Sequence, residues 1–498
     1  MRIAVVSAVV LGVSAAFAAD AIPPRKLRGW EEEQHWPGPN VTARFTANRE
    51  MRVEWSDRTE ITVFLSDPLA FDRHIRPTLV IRALMTDGVN LELFGKTPGD
   101  VCGQLIETGE RDGYALLKFE LLNARKEISQ MTFRTGAKKG TLVVADMELL
   151  ELPPTPLRTP PEKLHLPAPD GGTASLAPLL IDAAGKAVTD AKGWEARREE
   201  LRKLWMGALG PFPETRPALD AKELETTEFE DYTRKRVRFV SEGPDTIDAW
   251  VMIPKPLDDK TKPPFPAVVC LHPTTNERDA EMVGLAGRGN VAHGIHLVKE
   301  GYVTISFDCY IMKADKPAGR HIMDQVKALS DRRPDWTGLG KMIWDASRAI
   351  DYLETMPIVN KNRIGVIGHS LGSKEAQFAA AFEPRFACAV ASEGGIGMTF
   401  SNWTDPWYLT AKFKPRIGEL EGHQVLALCA PRPILILAGD GKGADGKQGE
   451  PFIQAAGQVY RLLGVPEGVA QFNHGKGHYY PLNARSEAHR WLERTLKN

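Results

Sequence analysis

From Val41 to Leu152 apolar and polar residues alternate in short segments: VTARFTA, ITVFLSD, TLVIRALM, LELFG, ALLKFELL, SQMTFRTG and TLVVADMELLEL. Asp-Gly, Gly-Lys and Pro-Gly interrupt them. A period of two sends successive side chains to opposite faces, which predicts antiparallel strands packed as a sandwich. Residues 153–169 are then dense in proline, a composition that favours extended backbone without a core of its own. Beyond them the rhythm changes. The continuously apolar segments FPAVVCLHP, YVTISFDCY, NRIGVIGHS, FACAVASEG and RPILILAGD alternate with helical patterns such as WEARREELRKLWMGAL. Strands of that kind are buried on both faces, and helices between them imply parallel pairing. The chain therefore divides into a smaller antiparallel β-sandwich domain over 25–152, a linker over 153–171, and an α/β domain over 172–498 with a mostly parallel sheet flanked by helices.

The first residues stand apart from both patterns. Arg2 is followed by an apolar run from Ile3 to Leu11 and then by small residues to Ala18. This predicts a secretory signal peptide over 1–19, with an uncleaved anchor as the alternative, and a periplasmic or extracellular protein without a membrane span once it is removed. The 498 residues exceed what one core supports, in agreement with two domains. Lys and Arg number 63 against 64 Asp and Glu, a net charge of −1, so no overall field draws the chain to nucleic acid. Five cysteines, at 102, 270, 309, 388 and 429, are too few and too irregularly spaced for a zinc site or a disulfide framework. They are expected as buried single thiols.

The chemistry-bearing signal is Gly368-His369-Ser370-Leu371-Gly372, between an apolar strand and a helical pattern. Flanking glycines allow a sharp strand-to-helix turn that raises a serine hydroxyl above the sheet, which makes Ser370 a candidate nucleophile. A base is expected from the C-terminal QFNHGKGHYYP, where His478 is preferred over His474 because a Gly-His loop can swing the ring over the sheet edge. The acid only orients that histidine and stabilises its charged form, so several positions qualify. Glu393, in ASEGG, is preferred, with Asp440 and Asp445 as alternatives. Backbone N–H groups of Leu371 and of Thr274 or a neighbour are the expected oxyanion donors, since Pro273 has none to give; His272 is expected as a hydrogen-bonded loop former. Trp403 and Trp407, in SNWTDPWYLT, are either stacking platforms for sugar rings or core residues. His293 and His296 lack a third ligand nearby, and neither a metal nor a cofactor is required.

These residues resemble exported esterases of the α/β-hydrolase fold, with glucuronoyl esterases and acetylxylan-esterase or dienelactone-hydrolase-like proteins most similar. The resemblance runs from about Trp194 to the C-terminus and is most specific over PIVNKNRIGVIGHSLGSKEAQFAAAFEPRFACAVASEGG, LCAPRPILILAGD and AAGQVYRLLG. It implies a substrate-binding role for Lys374, at the position of a lysine that contacts the sugar acid, and favours Glu393 as the acid. Glucuronoyl esterases typically carry an arginine directly after the nucleophile, where this chain has Leu371. That departure favours simpler acyl esters of sugars beside uronate esters. The expected function is a serine carboxylesterase for carbohydrate-linked esters, on a polysaccharide or a small ester. The alternatives are a prolyl-oligopeptidase-type serine peptidase, for which the N-terminal region is too short and unrepetitive to be a propeller, and a non-catalytic secreted glycan-binding protein. Trp30, Trp36 and Trp55 are the aromatic candidates for glycan contact in the first domain.

Overall fold

Apolar strands need a partner on every edge and a cover on every face, and both requirements shape the two sheets of the computed structural model. It describes residues 161–168, 176–229, 231–256, 262–285, 289–313, 321–441 and 445–497, preceded by ten strands between Arg25 and Leu152. The signal peptide, Trp30 and Trp36 lie outside the described residues, as does the Trp55 side chain. No described helix is long and apolar enough to cross a membrane.

The first sheet is antiparallel throughout. Its strands are β1 (Arg25–Lys26), β2 (Val41–Phe45), β3 (Met51–Trp55), β4 (Glu60–Ala70), β5 (Arg76–Met85), β6 (Glu92–Phe94), β7 (Val101–Arg111), β8 (Tyr114–Leu121), β9 (Glu127–Arg134) and β10 (Gly140–Leu152). They pair in the order β2-β3-β10-β5-β8-β7-β6-β9-β4, with β1 on β10. At its centre Leu79, Val80 and Ile81 of β5 are all buried, as are Leu142, Val143 and Val144 of β10. Consecutive strand residues face opposite ways, so the sheet centre is covered on both faces.

The second sheet comprises β11 (Lys222–Glu228), β12 (Tyr232–Val240), β13 (Thr246–Pro254), β14 (Phe265–Leu271), β15 (Val303–Phe307), β16 (Val359–His369), β17 (Cys388–Ser392), β18 (Ile434–Ala438) and β19 (Val469–Asn473). Its order is β11-β12-β13-β15-β14-β16-β17-β18-β19. The first three strands and β15 pair antiparallel; from β15 to β19 every pairing is parallel. The helices are α1 (Ala191–Leu209), α2 (Asp279–Met282), α3 (His293–Val298), α4 (His321–Arg332), α5 (Gly338–Glu354), α6 (Leu371–Phe382), α7 (Gly422–Cys429), α8 (Gly446–Leu462) and α9 (Leu482–Leu496). The apolar segments recognised in sequence are β14 to β18, and every residue of β15, β17 and β18 is buried. Cys270, Cys309, Cys388 and Cys429 are buried free thiols in or beside these strands and α7.

From β14 the chain moves to one side to form β15, then returns to the other side of β14 to form β16. Such a reversal opens a crevice at the carboxyl ends of the two strands, where α/β proteins place their ligands. The described part of the proline-rich segment lies against this domain: His165 exchanges backbone hydrogen bonds with Gln471 of β19, at 2.7 and 3.0 Å.

Candidate active site

Ser370 sits at the carboxyl end of β16, in the turn that starts α6. Its φ of 58° lies in the left-handed region that non-glycine residues avoid, so the surrounding structure must hold it there. Its N–H donates to Ser392 O at 2.8 Å. The flanking glycines are fixed by close approach. A Cβ on Gly372 would stand 2.2 Å from Leu271 O, and one on Gly368 2.2 Å from Gly372 O. Only bare backbone lets α6 start this close to β14 and β16.

Each parallel strand beyond β16 then delivers one or two more candidate residues at the same edge of the sheet. Glu393 follows β17, Asp440 and Asp445 follow β18, and His474 and His478 follow β19. Gly475 and Gly477, with φ of 70° and 61°, turn the last loop back over the edge. A Cβ on Gly439 would collide with Gly477 O at 2.1 Å, so the loop rests directly on the end of β18. His478 Nε2 comes to 2.9 Å from Ser370 Oγ. Its Nδ1 faces Glu393 Oε2 at 4.0 Å, while His474 Nε2 lies 3.6 Å from Glu393 Oε1.

The three candidate carboxylates have separate surroundings. Asp440 is exposed and accepts from Asn473 Nδ2 at 2.9 Å and Lys447 N at 3.2 Å; those hydrogen bonds hold it below the usual carboxylate range. Asp445 is fully buried and accepts from Gly395 N at 3.0 Å and Ile396 N at 2.5 Å, so it fastens the turn that follows Glu393. Glu393 is itself in left-handed backbone, with φ of 56°. Burial, then the neighbouring Asp445 charge, push its carboxyl up to about 9, against the pull of the Gly439 and Asp445 N–H groups. Glu393 is the one of the three that reaches His478.

The remaining predicted residues are spread around this centre. Leu371 is buried, and its N–H is the first of α6, where no intrahelical acceptor exists. Thr274 is exposed in the loop after β14. His272 is buried there and accepts from Cys309 N through Nε2 at 2.9 Å, which leaves Nδ1 to donate to Pro273 O at 2.7 Å. It is a loop former. Lys374 is buried in α6; its Nζ donates to Ser401 Oγ at 2.8 Å and stands 5.0 and 5.3 Å from the ring centres of Trp403 and Tyr408. Burial lowers this amine to about 8.

Trp403 corrects one of the two expectations for the tryptophans. It is 0% exposed and its indole N–H donates to Gly395 O at 3.0 Å, so its ring is core and offers no face to a sugar. Trp407 is half-buried. Two residues close to the centre went unremarked in the sequence: His369, whose Nδ1 pairs with Ser392 Oγ at 3.0 Å beneath the His478 ring, and Glu421, which accepts from the Met398 and Gly422 N–H groups. His369 lies inside the glycine-flanked motif, and Glu421 carries the capping pattern Glu-x-x-Gln of α7. His293 and His296 are buried in α3, His296 against Arg485 at 3.0 Å.

With this geometry in place, residues 245–412 match the family model for fungal glucuronyl esterase. The α/β domain is similar to glucuronoyl esterases. The match holds Ser370, Lys374 and Glu393 and ends before the two histidines. A carbohydrate esterase, MZ0003, from an unknown prokaryotic organism is 29% identical over 148 residues, which are 26% of this chain and 34% of that protein. The 4-O-methyl-glucuronoyl methylesterase 1 of Wolfiporia cocos is 28% identical over 183 residues, 31% of this chain and 45% of that one. The chain thus spans less than half the length of these two relatives. A glucuronoyl esterase from Solibacter usitatus superposes with a TM-score of 0.51 at 20% identity, covering 66% of this chain and 98% of that structure; at this identity the likeness is one of fold.

Proposed function

We propose that the protein is a serine carboxylesterase acting on carbohydrate-linked esters. The observation that carries the proposal is the 2.9 Å approach of His478 Nε2 to Ser370 Oγ, at the crevice of the parallel sheet. Ser370 attacks the ester carbonyl while His478 takes its proton; His478 then returns that proton to the leaving alkoxide, and an acyl-enzyme remains. Water activated by His478 releases the acid and restores Ser370. Glu393 orients His478 and stabilises its charged form. The N–H of Leu371, with Thr274 or a neighbour, receives the developing oxyanion. Lys374 serves the sugar portion, supported by the hydrogen bond to Ser401 that holds its amine at the end of α6. No step calls for a cofactor.

Leu371 provides no guanidinium beside the nucleophile, which supports acetylated sugars as substrates next to glucuronoyl esters. The protein is exported, by its first residues, and the antiparallel domain is a sandwich, supported by the double-sided burial at the centre of β5 and β10. The proline-rich residues 153–171 separate the two domains. Turnover of p-nitrophenyl acetate, acetylated xylan and benzyl glucuronate tests the activity and ranks the acyl groups. Ser370→Ala is expected to lower kcat roughly 10⁴-fold or more; ordinary turnover by that variant refutes the mechanism. Fluorophosphonate labelling at Ser370 separates this enzyme from a glycan-binding protein of the same fold.

A further inference from the structure

Glu393 faces two imidazoles, and the mechanism uses only one. The side chains of Glu393 and His474 are both fully withdrawn from solvent, with Nε2 and Oε1 3.6 Å apart. The backbone of His474 is tied down by donation from its N–H to Ala438 O at 2.7 Å, directly beyond β18. Its tautomer follows from one contact. Lys476 N–H donates to His474 Nδ1 at 3.2 Å, so Nδ1 is an acceptor and the neutral ring carries its proton on Nε2. Burial keeps the ring neutral, lowered to about 4, with the Lys476 cation acting in the same direction. The proton is therefore on the nitrogen that lies 3.6 Å from Glu393 Oε1, while the other oxygen, Oε2, is the one 4.0 Å from His478 Nδ1. His474 Nε2 has no nearer partner among the described residues.

We propose that His474 is a positioning residue for the acid of the triad: its Nε2–H holds Glu393 Oε1 so that Oε2 faces His478 Nδ1, and it stabilises the carboxylate charge that an imidazolium at 478 requires. The proposal rests on the esterase reading for the roles of Ser370 and His478. A carboxylate in this place needs such a donor. It is buried, Asp445 and Asp440 both oppose its charge, and the Gly439 and Asp445 N–H groups favour it from the β18 side. A neutral donor can supply the stabilisation without adding a buried cation that would compete with the imidazolium for the carboxylate. The distance of 3.6 Å is longer than a formed hydrogen bond, and contacts of this kind tighten as charge develops.

The test compares His474→Met, which keeps bulk and loses the donor, with His474→Gln, which keeps an N–H. Two readouts are taken across pH 5 to 9: kcat and KM for p-nitrophenyl acetate, and the rate at which a fluorophosphonate labels Ser370. For His474→Met we expect kcat and the labelling rate to fall by about 10- to 100-fold, the worth of one hydrogen bond to a charged group. KM stays within about threefold, and the acidic limb of both profiles moves to higher pH, because Glu393 now ionises later. His474→Gln recovers most of the rate and of the profile. Unchanged rates and profiles in folded His474→Met overturn the proposal, as does an equal loss in both variants with no movement of the profile. If His474→Met does not fold, wild-type rates and profile in His474→Ala or His474→Phe overturn it equally. Labelling at Ser370 without turnover of any ester in wild type is instead a failure of the esterase reading, and the labelling profiles still decide the role of His474.

Discussion

At residue scale the site is a division of labour among carboxylates that are close in space and unlike in environment. Asp440 is exposed and committed to Asn473 and Lys447; Asp445 is buried and committed to the backbone of the turn after β17; Glu393 is buried and faces imidazole on two sides. Glu393→Gln is therefore expected to lower kcat by roughly 10²- to 10⁴-fold, since the amide cannot stabilise the imidazolium. Asp440→Asn should stay within about threefold of wild type. A reversed order in steady-state kinetics would assign the acid to the loop after β18. Ser370 was legible because glycines two residues away on either side have few other uses, and the preference for His478 because Gly477 precedes it in a loop after the last strand. The competition among the three carboxylates was not, because their distances to the ring depend on strands more than 30 residues apart in the chain. Trp403 shows the same limit. A tryptophan in a polar, proline-broken segment reads as exposed, yet its N–H finds Gly395 O and its ring packs against Phe378 and Tyr408.

At the scale of elements, the join of β16 to α6 is the part whose geometry is least tolerant. Gly372→Ala would press a methyl group to 2.2 Å from Leu271 O, 2.6 Å from Leu271 C and 3.0 Å from His272 O, all of them backbone atoms. We expect a loss of about 1–3 kcal/mol in stability, read as a lower denaturant midpoint, together with a large loss of activity as the elbow shifts. A fully active variant of normal stability would show that the turn can relax. The strands themselves divide by legibility for a physical reason. β14 to β18 are apolar on both faces because helices cover both sides, and such runs stand out. β7, with Gly103 and Gly109 among charged residues, and β11, exposed along almost its whole length, lack any regular alternation and are strands only because a neighbour offers them a ladder. The proline-rich segment was expected as a connection alone, yet around His165 it adds backbone hydrogen bonds to β19, using an edge that the sheet would otherwise leave open.

Across the whole molecule, buried acids in the α/β domain couple stability to pH. Glu375, fully buried on α6 beside Cys309, is raised by desolvation to about 8. It holds a proton in the folded state over a range where the unfolded chain has lost it, so stability falls as pH rises through that range. His293, His423 and His474 are lowered to about 3, 4 and 4 and work in the opposite sense, removing stability as pH drops below about 6.5. Chemical denaturation is expected to find maximal stability near pH 6.5. Glu375→Gln should flatten the decline between pH 6.5 and 7.5 by about 1.4 kcal/mol per pH unit; an unaltered slope would mean that Glu375 is ionised in the folded protein. The sequence by itself determined the two regimes of alternation, the parallel core strands and the serine turn, because each rests on local periodicity or on glycines fixed by neighbours in the chain. Only the tertiary structure decided which carboxylate meets His478, which tryptophan is core and that a second imidazole backs Glu393. Those outcomes depend on the order of strands in the sheet, which brings the ends of β16, β17, β18 and β19 to one edge, and on burial, which the chain acquires only when it closes.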